Sequence, residues 1–453
     1  MTTSFAEPLL DLPHGNEAPS PQHRPDTPLT VIDLFAGAGG LSEGFRQAGF
    51  RIVAGSDVDP DACRTYALNF PEAAVICGDV RSQDVHSKIL AAGYGVDVVV
   101  GGPPCQAFSQ VRNHSRLIDD PRNSLYREFV ALVGQLSPRA FLMENVPGLA
   151  QMGVLEQVVE DLELGGTYRV NPQVVDAADF GVPQTRKRIV FLGIRKDLAV
   201  PPLLMAGSGA TETLALVRHN KGSYSIGRKG GDSDTCLRQL ADSRNLAVVS
   251  VEQAISDLRH LEAGRRTDTI LMSELGAPES AYQRLMRRGV GTELTNVSVP
   301  RINKDTVTRL SSLPQGGNHR DLDESLLARY ISGQKWGPST DTGRLVRAHF
   351  YAYRKLHPQI WAWTLNTKAD SAYHYLDPRA LSVREFARLQ SFPDRFVFTT
   401  DPRRGNIPGR IGGGPAHSRY RQVGNAVPPL LALAMAREVA KVVRTARLRN
   451  RTA

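Results

Sequence analysis

Between about residues 29 and 195, short apolar runs alternate with segments of helical spacing, and glycine or proline marks most of the changes. TVIDLFA (30–36) is an apolar run that ends in glycines, and LSEGFRQAG (41–49) follows with helical spacing and a glycine stop. RIVAGSDV (51–58) predicts the next strand. PDACRTYALNF (60–70) predicts the next helix, opened by Asp59 as cap and Pro60 in the first turn. AAVICGDV (73–80), VDVVVGG (96–102) and RAFLMENV (139–146) predict further strands, and QVVDAADFGV (173–182) with RIVFLGI (188–194) a closing pair. Strands that are apolar almost throughout and alternate with helices argue an α/β domain, its mostly parallel sheet covered by helices on both faces.

The regularity breaks after about residue 196. HNKGSYSIGRKGGDSDT (219–235) is polar and glycine-rich, and few elements can be assigned before LSVREFARLQSF (381–392), which predicts a helix. VPPLLALAMAREVAKVVRTARL (427–448) predicts a long amphipathic helix with proline at its start. The expected organisation is a disordered proline-rich lead-in over 1–28 and an α/β domain over 29–195. A smaller irregular domain over 196–380 and a return segment over 381–419 follow. A C-terminal helix over 420–447 that completes the first domain and a basic tail over 448–453 close the chain.

Charge adds a preference in partners. The 453 residues carry a formal net charge of +9, which favours polyanions. The basic residues concentrate late, at Arg403, Arg404, Arg410, Arg419, Arg421, Arg437, Lys441, Arg444, Arg447, Arg449 and Arg451, although a solvated helix face with a frayed end has the same composition. No run approaches eighteen uninterrupted apolar residues, so no transmembrane helix is expected. The four cysteines, Cys63, Cys77, Cys105 and Cys236, form neither a CxxC pair nor a zinc spacing. They suggest free thiols in a reducing, cytoplasmic setting and no metal.

The candidate chemistry gathers at strand ends. Asp33-Leu34-Phe35-Ala36-Gly37-Ala38-Gly39-Gly40 lies between a strand and a helix, but Ser42 stands where a dinucleotide fingerprint needs its third glycine, which argues against NAD. Asp57 and Asp79 end the next two strands and suit a nucleoside's ribose hydroxyls and exocyclic amine; each also suits a turn or a helix cap. Cys105 follows Pro103-Pro104, outside its strand, where the fixed φ of two prolines would hold a nucleophilic thiol in place. A packed free cysteine is the other reading. Glu144 ends an apolar strand, an environment in which a carboxyl tends to keep its proton. Gln184, Arg186 and Arg188 alternate and would project on one strand face toward the same edge, with Lys187 facing away. A solvated edge strand would show the same alternation.

Together these pieces resemble the DNA (cytosine-5)-methyltransferase family of bacteria. The resemblance is carried in order by DLFAGAGGLSEGF, SDVDPDACRTYALNF, GDV, GGPPCQAFS, ENVPGL, DFGVPQTRKRIVFLG, LSVREFARLQSFPDRF and YRQVGNAVPP, about 250 residues at both ends of the chain. It implies a Rossmann-like, S-adenosylmethionine-dependent methyltransferase fold. The donor would be held by Phe35, Gly37 and Gly39, with Asp57 on the ribose and Asp79 on the adenine. Gly40, Val58, Val80, Pro104, Leu125, Asn425 and Ala426 fall at further contact positions. Cys105 would attack C6 of a flipped cytosine, and Glu144 would bind N3 and the exocyclic amine, assisted by Arg188 with Arg186 and Gln184. Residues 107–124 would close over the DNA, and 196–380 would be the target recognition domain, RLSSLPQGGNHRDL (309–322) among its candidate readers. Two departures stand out: Val58 replaces a frequent tryptophan, which weakens the expected cofactor stacking, and Pro103 a phenylalanine of some members.

The implied role is a monomeric cytoplasmic enzyme acting on double-stranded DNA, paired functionally with a restriction endonuclease or a defence cluster. An orphan regulatory methylase is the alternative. Two rival readings are methylation of transfer RNA by the same cysteine, in a branch without a long recognition region, and a silent DNA-binding regulator, which could dispense with thiol, acid or arginines.

Overall fold

The computed structural model describes residues 28–104, 124–151, 154–198, 200, 205–214, 216–218, 224–226, 247–326, 353–401 and 415–452. Cys105, Cys236, the lead-in through residue 27, residues 107–123 of the expected closing loop, and Arg403, Arg404 and Arg410 lie outside the described residues. The chain divides into two units, one of Met1–Phe180, Arg186–Gly207 and Ala426–Ala453, the other of Gly181–Thr185 and Ser208–Asn425.

The first unit is built on seven strands: β1 (Thr30–Leu34), β2 (Arg51–Asp57), β3 (Ala74–Cys77), β4 (Val98–Gly101), β5 (Ala140–Asn145), β6 (Tyr168–Asp176) and β7 (Lys187–Arg195). Their order is β3-β2-β1-β4-β5-β7-β6. The five strands from β3 to β5 run parallel, while β7 is antiparallel to both β5 and β6. The alternation of side chains sorts the two faces. Ile32, Leu34, Ala54, Val99, Phe141 and Met143 join a core with α3 (Gln83–Ala92), α4 (Ser124–Leu136) and α5 (Leu155–Glu163), through Val85, Ile89, Phe129, Leu132, Val158 and Leu162. Asp33 points the other way, to α1 (Gly40–Gln47) and α2 (Pro60–Asn69). Asp59 caps α2, accepting from Asp61 N at 3.0 Å, as its position before Pro60 predicts.

The C-terminal helix, Pro429–Thr452, packs against α1. A Cβ on Gly40 would fall 2.2 Å from Val427 O, and one on Gly44 would fall 2.3 Å from Ala432 Cβ and 2.5 Å from Leu433 N. These two glycines, one turn apart, set how closely the returning chain approaches. Gly44→Ala pushes against backbone and is expected to destabilise the unit by about 1–3 kcal/mol, read as a lowered melting temperature. An unchanged melting temperature would show that the helices separate freely.

Three differences from the sequence expectation have physical causes. The strand expected over 173–182 instead runs from Tyr168 to Asp176, and 177–180 wind into a 3-10 turn, Ala178 N bound to Asp176 Oδ1 at 3.2 Å. Its Pro172 is tolerated because β6 is an edge strand. The arginine-bearing strand is not a solvated edge: β7 lies between β5 and β6. The single helix expected over 420–447 is two, Pro415–Asn425 and Pro429–Thr452, separated where Pro428 and Pro429 remove two amide donors.

The second unit extends past residue 380 to Asn425 and so includes 381–419. Its described strands are short: Thr269–Leu271 pairs with Glu293–Thr295, and Leu216–Arg218 with Tyr224–Ile226. Charge lies inside it. Arg388 is fully buried and spans Asp257 and Asp394, at 2.7 Å to each. Burial opposes ionisation of Asp394, but the Arg388 charge brings its carboxyl below the usual range. The helix Val383–Leu389 opens with a capping box of Ser382 and Glu385, and Arg379 grips the same glutamate at 2.8 and 2.9 Å.

Candidate active site

Parallel pairing brings the C-terminal ends of β1 to β5 to one edge of the sheet, where α/β proteins bind ligands. After β1, Phe35 turns the chain with φ 59° and packs, half-buried, on the same core as Leu125 at the start of α4. Gly37 N donates to Asp57 Oδ2 at 2.8 Å, tying the glycine turn to the end of β2. The glycines have separate tasks. Gly37 has φ 55° and open space where a Cβ would stand, whereas a Cβ on Gly39, φ 101°, would meet the Phe70 ring at 2.4 Å. Gly40 is occupied by its approach to Val427, near Ala426.

Asp57 also accepts from Asp59 N at 2.8 Å. Burial pushes its carboxyl up, against those backbone donors. Val58, beside it, is 66% exposed, a large apolar side chain in open solvent at the ligand edge. Asp79 is half-buried and paired with Arg81, Nε to Oδ1 2.9 Å, and these hydrogen bonds hold it at about 2. Val80 is buried beneath it. Asn425 ends its helix in the second unit and is exposed, while Ala426 opens the last segment of the first.

Ser42, which breaks the dinucleotide fingerprint, has a structural partner that the sequence reading did not foresee. Its Oγ bonds Asp33 Oδ2 and Tyr66 Oη, each at 2.7 Å, in a wholly buried chain. Burial pushes Asp33 up to about 7, so at pH 8 folding must hold a charge that the unfolded chain carries freely. A raised carboxyl contributes stability below its unfolded pKa, near 4, that is lost as pH rises toward 7. Asp33→Asn, which keeps an acceptor for Ser42, should therefore flatten the loss of melting temperature between pH 5 and 8. A parallel decline in both proteins would refute this.

Two of the catalytic candidates, Glu144 and Arg188, meet where β5 and β7 pair. Glu144 lies opposite Val190, so Arg188, two residues earlier on β7, is its diagonal neighbour on the same face. Arg188 Nε stands 2.5 Å from Glu144 Oε1, with both side chains nearly buried. The antiparallel course of β7 makes this possible, because it sets the start of β7 beside the end of β5. Lys187 is exposed, and Arg186 is buried just before the strand, its backbone N on Asp176 Oδ1 at 2.9 Å. Burial and the Arg188 charge push the Arg186 guanidinium well down, with Glu144 acting in opposition. Gln184 belongs to the second unit, where its amide bonds Gln390 Oε1, Leu389 O at 3.1 Å and Leu365 N at 2.9 Å.

Two further residues serve this corner without having been singled out. Gly102 leaves room for the acid: a Cβ there would stand 3.1 Å from Glu144 Oε2. Asn145 donates from Nδ2 to Pro103 O at 3.0 Å, fixing the segment that leads through exposed Pro104 to Cys105. The signal for Asn145 was its place in ENVPGL, next to the acid. Among the described residues no cluster of three metal-ligating side chains occurs and no helix is long and apolar enough to cross a membrane.

The sheet order, with its antiparallel insertion next to the last parallel strand, defines the fold class of S-adenosylmethionine-dependent methyltransferases. A crystal structure of a protein assigned as a DNA modification methyltransferase encoded within an Escherichia coli prophage shares the fold, with a TM-score of 0.62 and 26% identity. The match covers 92% of this chain and 99% of that one. Residues 29–441 match the C-5 cytosine-specific DNA methylase family, and the chain belongs to it: it is a DNA (cytosine-5-)-methyltransferase. Among relatives, type II methyltransferase M1.HphI of Haemophilus parahaemolyticus is 33% identical over 419 residues, 91% of this chain and 87% of that protein. Type II methyltransferase M.AgeI of Thalassovita gelatinovora is 31% identical over 460 residues, 91% of this chain and 99% of that protein.

Proposed function

We propose that this enzyme methylates C5 of one cytosine within a specific duplex DNA sequence, as the modification partner of a type II restriction system or another phage-defence cluster. The observation that carries the reading is the Glu144–Arg188 pair on the strand ends beside Gly102 and Pro103, next in sequence to Cys105. The type II methyltransferases among its relatives favour the restriction-modification setting.

The residues at the ligand edge fit S-adenosylmethionine. Gly37 offers an open turn, Asp57 and Asp79 offer acceptors for ribose and adenine, and Phe35, Val58 and Leu125 offer partly exposed apolar surface. When bound there, S-adenosylmethionine supplies an electrophilic methyl on a sulfonium to the activated C5 of the base.

Activation is the task of the chain's own residues, because cytosine C5 is a poor nucleophile. Cys105 adds its thiolate to C6, which makes C5 enamine-like. Glu144 hydrogen-bonds N3 and the exocyclic amine and stabilises the negative charge driven into the ring, while Arg188 fixes the carboxyl's orientation. Arg186 adds a second positive charge within reach of Glu144. Loss of the C5 proton then expels Cys105 and restores aromaticity. A stacked base is out of reach of these groups, so the cytosine is flipped from the helix. Residues 107–124 cover it, the region 196–380 supplies the sequence readers, and the enzyme works as a cytoplasmic monomer.

The test is methyl transfer from radiolabelled S-adenosylmethionine to duplex DNA and to transfer RNA, with bisulfite sequencing of DNA from expressing cells. Labelled DNA with one methylated motif is the expected result. Label confined to transfer RNA would overturn the reading, and DNA binding without a covalent adduct on a 5-fluorocytosine duplex would favour a silent regulator.

A further inference from the structure

Two of the four cysteines stand together at the proposed cofactor edge, a juxtaposition that the methyl-transfer chemistry does not use. Cys63 lies in the first turn of α2, buried, and its Sγ donates to Asp57 O at 3.3 Å. Cys77 ends β3 directly opposite Asp57 in the β2–β3 ladder and is exposed. Both therefore flank the backbone of Asp57, Cys63 through its bond to the Asp57 carbonyl and Cys77 from the neighbouring strand. They are 14 positions apart in sequence but meet around one residue, the acid whose side chain holds Gly37.

We propose that Cys63 and Cys77 form a peroxide-sensitive dithiol whose closure to a disulfide weakens cofactor binding at the Asp57 edge. The proposal rests on the assignment of that edge to S-adenosylmethionine.

The oxidant is hydrogen peroxide, a two-electron acceptor. Exposed Cys77 reacts first, because burial and the neighbouring Cys77 push the Cys63 thiol up and keep it protonated. The Cys77 thiolate breaks the O–O bond and becomes a sulfenic acid, releasing hydroxide. The Cys63 sulfur then attacks the Cys77 sulfur; the S–S bond forms, the S–O bond breaks, and the oxygen leaves as water with the Cys63 proton. Two thiols lose two electrons and two protons, and the peroxide becomes two waters.

The consequence follows from what the thiols hold in the reduced state. Asp57 O accepts from Gly78 N at 2.9 Å and from Cys63. Disulfide formation removes the S–H donor, and the sulfurs must draw together to about 2 Å. That pulls the first turn of α2 toward the end of β3, on either side of Asp57. The Asp57 carboxylate and the Gly37 turn tied to it shift with their backbone.

The experiment uses the full chain with Cys105→Ser and Cys236→Ser, leaving only this pair. It is treated with stoichiometric hydrogen peroxide, digested without reductant for mass spectrometry, and titrated with S-adenosylmethionine by calorimetry. A linked Cys63–Cys77 peptide and about tenfold weaker binding, equivalent to about 1.4 kcal/mol, are expected, both reversed by dithiothreitol. Adding Cys77→Ser should leave the affinity of the reduced protein unchanged and make it indifferent to peroxide. The proposal fails if no linked peptide forms, if the disulfide forms with unaltered affinity, or if the Cys77→Ser protein loses affinity equally. Absence of S-adenosylmethionine binding before oxidation would instead remove the cofactor assignment itself, and the switch with it, whatever the peptide map shows.

Discussion

Cys105→Ser is expected to reduce methyl transfer to background, a loss of more than about 10⁴-fold, with the melting temperature unchanged. A serine hydroxyl is far less ionised than a thiol at neutral pH and is a poor nucleophile toward C6, so the ring is never activated. The fold should be indifferent to the exchange, because the neighbouring chain is held by other atoms. Pro103 is buried with its carbonyl on Asn145 Nδ2 at 3.0 Å, so the mount that precedes residue 105 does not depend on sulfur. Three measurements separate chemistry from folding: label incorporation into duplex DNA, thermal melting, and adduct formation on a 5-fluorocytosine duplex. Methylation persisting within about a hundredfold of the parent would refute the covalent route.

The first unit was legible because its inner parallel strands β1, β4 and β5 are buried almost throughout and therefore written as apolar runs, and because caps and glycines mark strand and helix ends. Asp59-Pro60 predicted a helix start that the Asp61 N bond to Asp59 realises. The alternation of Gln184, Arg186 and Arg188 was read as one strand face projecting toward the ligand edge, but the strand is shorter, since β7 begins only at Lys187. Its inner position was not legible at all. Charges at 186 and 188 suggest solvent, and the partner carboxylate on β5 explains Arg188 inside a sheet.

The same difficulty hid much of the second unit. Arg379, Arg384, Arg388 and Arg419 are fully buried, so polar positions there do not mark surface and the usual period is lost. The helix expected at LSVREFARLQSF is there, and it opens with a capping box at Ser382 that was not read from the sequence. Ser42 shows a different limit. Its absence of fit to a dinucleotide motif was visible, but its bond to Asp33 depends on α1 lying over β1. Gly40 likewise belonged to a glycine cluster that reads as ligand-facing, while the structure gives it to the returning C-terminal chain.

Glu144→Gln is expected to lower kcat/KM by about 10²–10³-fold while leaving S-adenosylmethionine affinity unchanged, since Glu144 sits on β5 and the proposed cofactor residues Gly37 and Asp57 on and beside β1 and β2. Glutamine preserves size and an acceptor for the exocyclic amine. It cannot exchange a proton with N3, so charge developing in the ring after attack at C6 goes unneutralised. It also withdraws the negative charge that faces Arg188 at 2.5 Å, next to the buried Arg186 that Glu144 helps keep charged. Some loss of thermal stability should therefore accompany the variant, and Glu144→Asp separates the two effects. Aspartate restores charge but, one methylene shorter, draws the carboxyl back from the base, so it should recover melting temperature without recovering turnover. If aspartate restores both, the role of residue 144 is electrostatic support of the arginines; if glutamine keeps near-parental kcat/KM, the acid does not act on the base.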